Sequence, residues 1–341
     1  MTGITYRDAG VDLDAAGPIK ETLKRLSGQT HGPNVFSMPG FFAGGIDNPS
    51  DTDSLLIAST DSVGTKVRIA IAAGRYKTLG HDIVNHCVND ALTTGARPLF
   101  FLDYIGIDSA DEERIVQVVE GLRDACQAAG CAIIGGETAF LPGVYTDGDF
   151  DLVGFIVGTV QKHDILRPRE TATVGDILIG VPSTGIHTNG ASLVRKVFGI
   201  DDNPAVLADV PEGLDRTLGE ALLEPHRSYL DPLAPVMSDI RGMAHITGGG
   251  FPENLPRTLP DNLAARIDRN TWEVPVLFRL IQAAGKIDEG EMFRVFNMGV
   301  GMILIVAPEK AGAVIAAVDG AWKIGELIDK DSADGQRVII T

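Results

Sequence analysis

The chain is poor in cysteine, poor in basic residues and free of long apolar runs. Three cysteines, Cys87, Cys126 and Cys131, serve all 341 residues. None forms a C-x-x-C pair and each falls in an apolar pattern, so they read as buried free thiols in a reducing cytoplasm. Lys and Arg number 29 against 46 Asp and Glu, a net charge of −17. Nucleic acid calls for a basic patch, so this balance argues against it, and most of the acids read as a soluble surface. No run approaches the ~18 apolar residues of a membrane span. The polar, acidic stretch Met1 to Asp14 lacks the apolar centre of a signal peptide. Two catalytic signatures are absent as well. There is no G-x-S-x-G elbow. There is no P-loop, because the first Gly of G-x-x-x-x-G-K-[ST] is missing before Lys66 and Val67 follows it.

Glycine is abundant, with 40 residues, which often means backbone lying close to a ligand. The pattern from Leu55 onward is β then α. The apolar run Leu55 to Ala58 reads as a strand that delivers Thr60-Asp61-Ser62-Val63-Gly64-Thr65-Lys66 to its end. An acid, a glycine turn, a hydroxyl and a lysine there suit a divalent ion and a phosphate. The same residues would also make an ordinary turn with a surface lysine.

His81 to Thr94 has the apolar spacing of a helix, stopped by Gly95. Its polar face carries Asp82, His86 and Asp90 four apart, with Asn85 and Asn89 alongside. This face reads as cation ligands rather than a plain solvated surface. Pro98 to Ile105 is a strand interrupted by Asp103, and Cys131 to Ile134 is a strand ending in Gly135-Gly136-Glu137-Thr138. Helices are expected at Pro18 to Leu26 and Ala110 to Ala129, and a further strand at Asp151 to Gln161. Gly28 to Ser50 is a long glycine-rich loop, either a cover for a nucleotide or a plain connection. Strands mixed with helices on one covered face predict an α+β unit.

Lys162 to Gly175 has no apolar periodicity, which puts a boundary near residue 170 and divides the chain into 1–170 and 171–341. The second unit opens with a strand from Asp176 to Val181. The turn Ser183-Thr184-Gly185-Ile186-His187-Thr188-Asn189-Gly190 then leads into a helix, a candidate anion site. His245-Ile246-Thr247-Gly248-Gly249-Gly250 repeats the theme. His187 is a candidate site residue, with a structural imidazole as the alternative.

Taken together, these motifs resemble the phosphoribosylformylglycinamidine cyclo-ligases, of the PurM-like ATP-binding superfamily. The resemblance runs nearly end to end. It includes Tyr6 to Asp12, Thr60 to Lys66, Cys87 to Asp90, Pro98 to Tyr104, Gly135 to Ala139, Gly185 to Gly190, Ser192 to Lys196, His245 to Phe251, Asn297 to Met302 and Ala321 to Gly325. It implies two domains: an N-terminal ferredoxin-type sheet domain that binds ATP and Mg²⁺ and pairs across a homodimer, and a C-terminal α/β sandwich domain that binds the substrate. It implies ATP-dependent closure of the imidazole ring of aminoimidazole ribonucleotide. By this resemblance Asp61, Asp90, Asp103 and Glu137 hold Mg²⁺, with Asp82 and His86 as weaker candidates. Gly64, Thr65, Lys66 and Thr138 meet the nucleotide, and Lys24, Lys66 and His187 are the catalytic candidates. Ser183, Thr184, Gly185, His187, Asn189, Thr247, Gly248 and Gly249 meet the substrate.

The chain departs from the family pattern at Ser62, at Phe140-Leu141, at Ile186 and in the order of the loop from Pro39 to Gly45. Among relatives, selenophosphate synthetases carry a reactive residue in an N-terminal loop, whereas no Cys precedes Cys87 here. Hydrogenase-maturation relatives end in cysteine, and this sequence ends in Thr341. Thiamine-monophosphate kinases share the acidic motifs but not the match at His245 to Gly250. A non-catalytic nucleotide-binding protein would keep the phosphate turn and have no use for the His187 loop.

Overall fold

The computed structural model describes residues 3–36, 41–146 and 148–341. The part of the glycine-rich loop at Ser37-Met38-Pro39-Gly40 and the side chain of Lys20 lie outside the described residues.

Two six-stranded sheets organise the chain. The first contains β1 (Val35–Phe36), β2 (Gly44–Asn48), β3 (Asp51–Ser62), β4 (Arg97–Ile107), β5 (Ala132–Phe140) and β6 (Phe150–Gln161), in the order β1-β2-β3-β6-β4-β5. Its strands pair antiparallel except β4 with β5. Alternate residues point to opposite faces. Leu55 and Ile57 of β3, Phe101 and Ile105 of β4 and Leu152 and Ile156 of β6 are buried. They lie beneath helices α3 (Lys77–Leu92) and α4 (Glu112–Ala128). The other face is open. It shows Leu56, Val157 and Phe155, which is 38% exposed.

Helix α1 (Leu13–Gly28) starts earlier than the expected Pro18, because Asp12 caps it by accepting the N–H groups of Asp14 and Ala15. It leaves Ile19, Leu23 and Leu26 exposed. Helix α2 (Lys66–Ala73) follows the turn Val63-Gly64-Thr65. Asp111, not Asp108 or Ser109, caps α4.

The second sheet contains β7 (Ile177–Pro182), β8 (Ile240–His245), β9 (Leu263–Ile267), β10 (Val300–Val306), β11 (Trp322–Asp329) and β12 (Val338–Ile340), in the order β12-β9-β11-β7-β10-β8. Every residue of β10 is buried, which explains its uninterrupted apolar sequence. The strand β8 lacks a clear alternating pattern and was not expected from the sequence. It carries His245 from the sheet to the triple-glycine turn. Among the described residues, no helix is long and apolar enough to cross a membrane.

Candidate active site between the two sheets

The polar face of α3 has a different use from the one its residues suggest. Asp82, His86, Asn89 and Asp90 are all buried, because this face packs against residues 224–229 of the second unit. That segment has no regular structure, so its peptide groups need partners. Asp82 Oδ1 accepts the His226 N–H at 2.7 Å, and Asn85 Nδ2 donates to the His226 carbonyl at 2.6 Å. Asn89 donates to the Arg227 carbonyl at 2.8 Å and accepts the Tyr229 N–H at 2.9 Å. Asp82 therefore binds backbone through Oδ1 and a lysine through Oδ2 rather than a metal ion.

Lys66 is the main correction in the stretch expected to bind phosphate. Its side chain is fully buried, 2.7 Å from Asp82 Oδ2, and it donates to the Glu224 carbonyl at 3.1 Å. Burial pushes the Asp82 carboxyl above its ordinary value, against the pull of Lys66. Lys66 thus ties the two units together and is not presented to a phosphate. Gly64 and Thr65 remain exposed at the turn, Gly64 with φ of 56°. The Thr65 hydroxyl lies 2.7 Å from that of Ser192, in the helix Ala191–Phe198 of the second unit.

Two of the four proposed metal ligands converge. Asp61 Oδ2 is 3.0 Å and Asp90 Oδ2 is 3.8 Å from His86 Nε2. Burial pulls the His86 pKa down, but the charges of Asp61 and Asp90 outweigh it and raise the imidazole to about 9. An imidazolium therefore stands beside both acids, and its Nδ1–H lies 2.7 Å from Thr188 Oγ1. Asp90 Oδ1 is 2.7 Å from His245 Nδ1.

Asp103 falls in the same sheet row as Asp61, since Gly154 pairs with both. Neighbouring strands are about 4.8 Å apart, so one whole strand separates the two acids. A Cβ at Gly154 would come within 2.7 Å of Ile83 and 2.5 Å of Phe101, which fill the space there. Asp103 instead leans over Gly136, where a Cβ would be 2.4 Å from its Oδ1. Burial raises its pKa, and its own N–H offsets part of that. Glu137 pairs with Tyr104, one residue on, and so faces the other side of the sheet at the exposed edge strand β5. Within one chain, the geometry does not gather all four acids at one point. The residue sequence could not show this, because it depends on strand register. Thr138 pairs with Ile105 on the Asp103 face.

Lys24 lies apart from His187. It lines a 980 Å³ groove with Phe36, Leu56, Ala58, Phe100 and Val157, on the sheet face opposite α3. The described end of the glycine-rich loop crosses to the second unit. The Arg257 guanidinium sits 3.7 Å from the Phe42 ring centroid and donates to the Phe41 carbonyl at 2.8 Å.

The two glycine-rich loops of the second unit do come together. Ser183 donates to Asn297 at 2.8 Å, Asn297 donates to the Gly185 carbonyl at 2.8 Å, and Thr184 donates to the Pro225 carbonyl at 2.5 Å. His187 is buried with φ of 57°, a conformation that strains a residue with a side chain. Gly248 lies against Asn189, whose Oδ1 would be 3.2 Å from a Cβ placed there. Asn254 Nδ2 donates to the carbonyls of Thr247, Gly248 and Gly250, which shapes the triple-glycine turn around Gly249. Gly190 opens the helix Ala191–Phe198, whose first amides have no side-chain cap.

His226 is the residue that sequence reading missed. It sits in Pro225-His226-Arg227, with no glycine and no periodicity to mark it. In the fold its ring stacks on His187 at 3.8 Å and 18°, and its Nε2 is 3.0 Å from His245 Nε2.

Two family models match the chain: AIR synthase related protein, N-terminal domain, over residues 45–160, and the C-terminal domain of the same description over 173–337. Phosphoribosylformylglycinamidine cyclo-ligase of Carboxydothermus hydrogenoformans is 45% identical, over 100% of this chain and 99% of that one. Its counterpart in Caldicellulosiruptor bescii is 44% identical over 95% and 96%. The chain belongs to the phosphoribosylformylglycinamidine cyclo-ligase family. Solved structures similar to this cyclo-ligase family member are remote in sequence and share its two-unit α+β fold. AaThiL complexed with AMPPCP and TMP has a TM-score of 0.68 at 12% identity, covering 97% of this chain and 95% of that one. Hydrogenase maturation protein HypE in complex with ATP has a TM-score of 0.62 at 18% identity, covering 84% and 81%.

Proposed function

We propose that the chain closes the imidazole ring of 5-aminoimidazole ribonucleotide from formylglycinamidine ribonucleotide and ATP, releasing ADP and phosphate in purine synthesis. The γ-phosphoryl group of ATP passes to the formyl oxygen of the substrate. The substrate's own nitrogen attacks the activated carbon and loses its proton, and phosphate leaves. This chemistry asks for positioning and charge neutralisation rather than a protein nucleophile. The observation that carries the reading is the Thr65–Ser192 contact at 2.7 Å. It sets the phosphate turn of one unit against the uncapped helix start of the other, beside Asn189 and Gly248.

Residues 1–170 form the ATP unit and 171–341 the substrate unit in this reading. Gly64, Thr65 and the first amides of the helix Ala191–Phe198 meet phosphate groups. His187, Asn189, Thr247 and Gly248 line the substrate side. Lys66 acts by joining the units.

The donor set fits Mg²⁺ at Asp61, a carboxylate with a side chain 40% exposed, and oxygen ligands suit that ion. Mg²⁺ bound there would neutralise phosphate charge. Asp90 orients His245 and borders the same place. Asp103 and Glu137 complete a metal set only together with groups from elsewhere.

The open face of the first sheet suits a second copy of the chain, as do the exposed apolar residues of α1 and β5. The three free cysteines suit a reducing cytoplasm.

The purified protein, given formylglycinamidine ribonucleotide, ATP and Mg²⁺, is expected to form the aminoimidazole product with one ADP per turnover. Absence of product and of substrate-dependent ADP would overturn the reading.

A further inference from the structure

Four histidines from four separate parts of the chain meet in the interior between the two sheets. His86, His187, His226 and His245 are each at most 3% exposed. Their rings lie 3.8 to 5.3 Å apart in successive contacts. The hydrogen bonds fix where the hydrogen sits on three of these rings. The Asp90 carboxylate accepts from His245 Nδ1, which therefore carries hydrogen. His245 Nε2 is then a bare acceptor, and His226 Nε2, 3.0 Å away, must carry the hydrogen between them. The backbone N–H of Thr184 donates to His187 Nε2 at 3.3 Å, so the His187 hydrogen resides on Nδ1.

This assignment leaves two buried nitrogen atoms without partners among the described residues: Nδ1 of His187, a donor, and Nδ1 of His226, an acceptor. A buried unpaired donor is costly, and a ligand oxygen would relieve that cost. Burial holds the pKa of His187 and of His226 well below the ordinary value and lowers that of His245.

His226 is held at both of its peptide groups by α3, through Asp82 and Asn85. Its ring is held through His245 by Asp90, also of α3. The strained backbone of His187 then rests on that ring as a stack. The helix of the ATP unit thus sets the imidazole of the substrate unit through a single intermediary.

We propose that His226 is a positioning residue, which stacks on His187 and donates its Nε2–H to His245 so that the His187 Nδ1–H stays free for a substrate oxygen. This role rests on the cyclo-ligase reading only for its consequence in turnover. The arrangement of protons stands without it. Metal ligation by His187, His226 and His245, whose ligand atoms lie within 4.8 Å of one another, is the competing use of the cluster. The nearly parallel stack of His187 on His226 argues against it, because two stacked rings do not direct their lone pairs at one ion.

The test is a nitrogen-15 NMR spectrum of the full chain labelled at histidine, combined with His226→Ala and His226→Gln. In the wild type, His226 is expected as the Nε2–H tautomer, and His245 and His187 as Nδ1–H. His226→Ala removes the ring that holds His187 against the Thr184 N–H, so that hydrogen bond should loosen and the His187 signals should move toward mixed tautomers. Its kcat should fall about tenfold or more, with the KM for ATP little changed. His226→Gln keeps a planar group and a donor near the Nε2 position, and should recover most of the kcat. An Nδ1–H tautomer at His226 overturns the proposal. So does a His226→Ala protein with unmoved His187 signals, or equal losses in the two variants. Shifts of all three rings on adding zinc overturn it in favour of the metal site. If His226→Ala does not fold, the wild-type spectrum and His226→Gln still decide. A wild type that makes no aminoimidazole product defeats the function reading and leaves the spectrum as judge of the arrangement.

Discussion

Lys66 Nζ lies 2.7 Å from Asp82 Oδ2, and both side chains are wholly buried where the two units meet. Lysine and aspartate are costly to bury unless paired, and this pair is further satisfied by the Glu224 carbonyl and the His226 N–H. Removing one partner leaves a buried charge behind. Lys66→Met is therefore expected to destabilise the protein by about 3–5 kcal/mol, with Asp82→Asn in the same chain recovering part of the loss. Denaturant unfolding measures both. Unchanged stability with weakened ATP binding would return Lys66 to the phosphate site.

The imidazolium of His86 makes stability depend on pH. Its folded pKa of about 9 lies above the ordinary 6.5. The contribution is therefore fully present below about pH 6.5 and is lost as pH rises through 9. A shift of this size is on the order of 3 kcal/mol. Unfolding midpoints taken from pH 6 to pH 10 should fall in the wild type and fall less in His86→Gln. Parallel curves would show that His86 is not the group responsible.

Gly301 faces the histidine cluster from β10. A Cβ there would be 2.0 Å from the Tyr229 hydroxyl and 2.7 Å from His187 Cε1. Gly301→Ala must displace one or both rings. Turnover is expected to drop about a hundredfold, the scale of a 1 Å misplacement of a reacting group. A crystal structure of the variant with both rings in place and normal kcat would contradict this.

Asp103 makes no ion pair in the described chain, so Asp103→Asn should change stability by less than about 1 kcal/mol. Turnover is the sharper measurement. Loss of activity in a normally stable variant supports a role for this carboxylate at a metal. Near-normal activity removes it from the site.

The exposed edge strand carries Ile134, 62% exposed, and Phe140, 51% exposed. If this edge and the open sheet face meet a second copy, Ile134→Lys with Phe140→Lys should shift the sedimentation coefficient from dimer to monomer. A wild type that sediments as a monomer refutes the pairing outright.

Much of the architecture was legible in the residues, because local rules decide it. Apolar runs located the centres of the strands β3 and β4, and helical spacing delivered α3, since a short buried strand and an amphipathic helix each leave a local pattern. The glycine turns at Gly185 to Gly190 and Gly248 to Gly250 announced themselves, because few other residues tolerate such close backbone approach. The family is written in those motifs from Tyr6 to Gly325.

Tertiary structure decided which polar residues face a ligand and which face each other. Asp82, Asn85 and Asn89 have the composition of a cation site, yet they bind the peptide groups of residues 224–229. A buried irregular segment needs partners, and no local pattern in α3 records where that segment runs. Lys66 follows a phosphate turn in sequence and turns inward in space. Asp61 and Asp103 both look like ligands carried by strands, but register separates them by the strand carrying Gly154. His226 left no mark at all. Its place depends on a loop of the second unit passing over a helix of the first, and contacts between distant segments have no signature in either sequence alone.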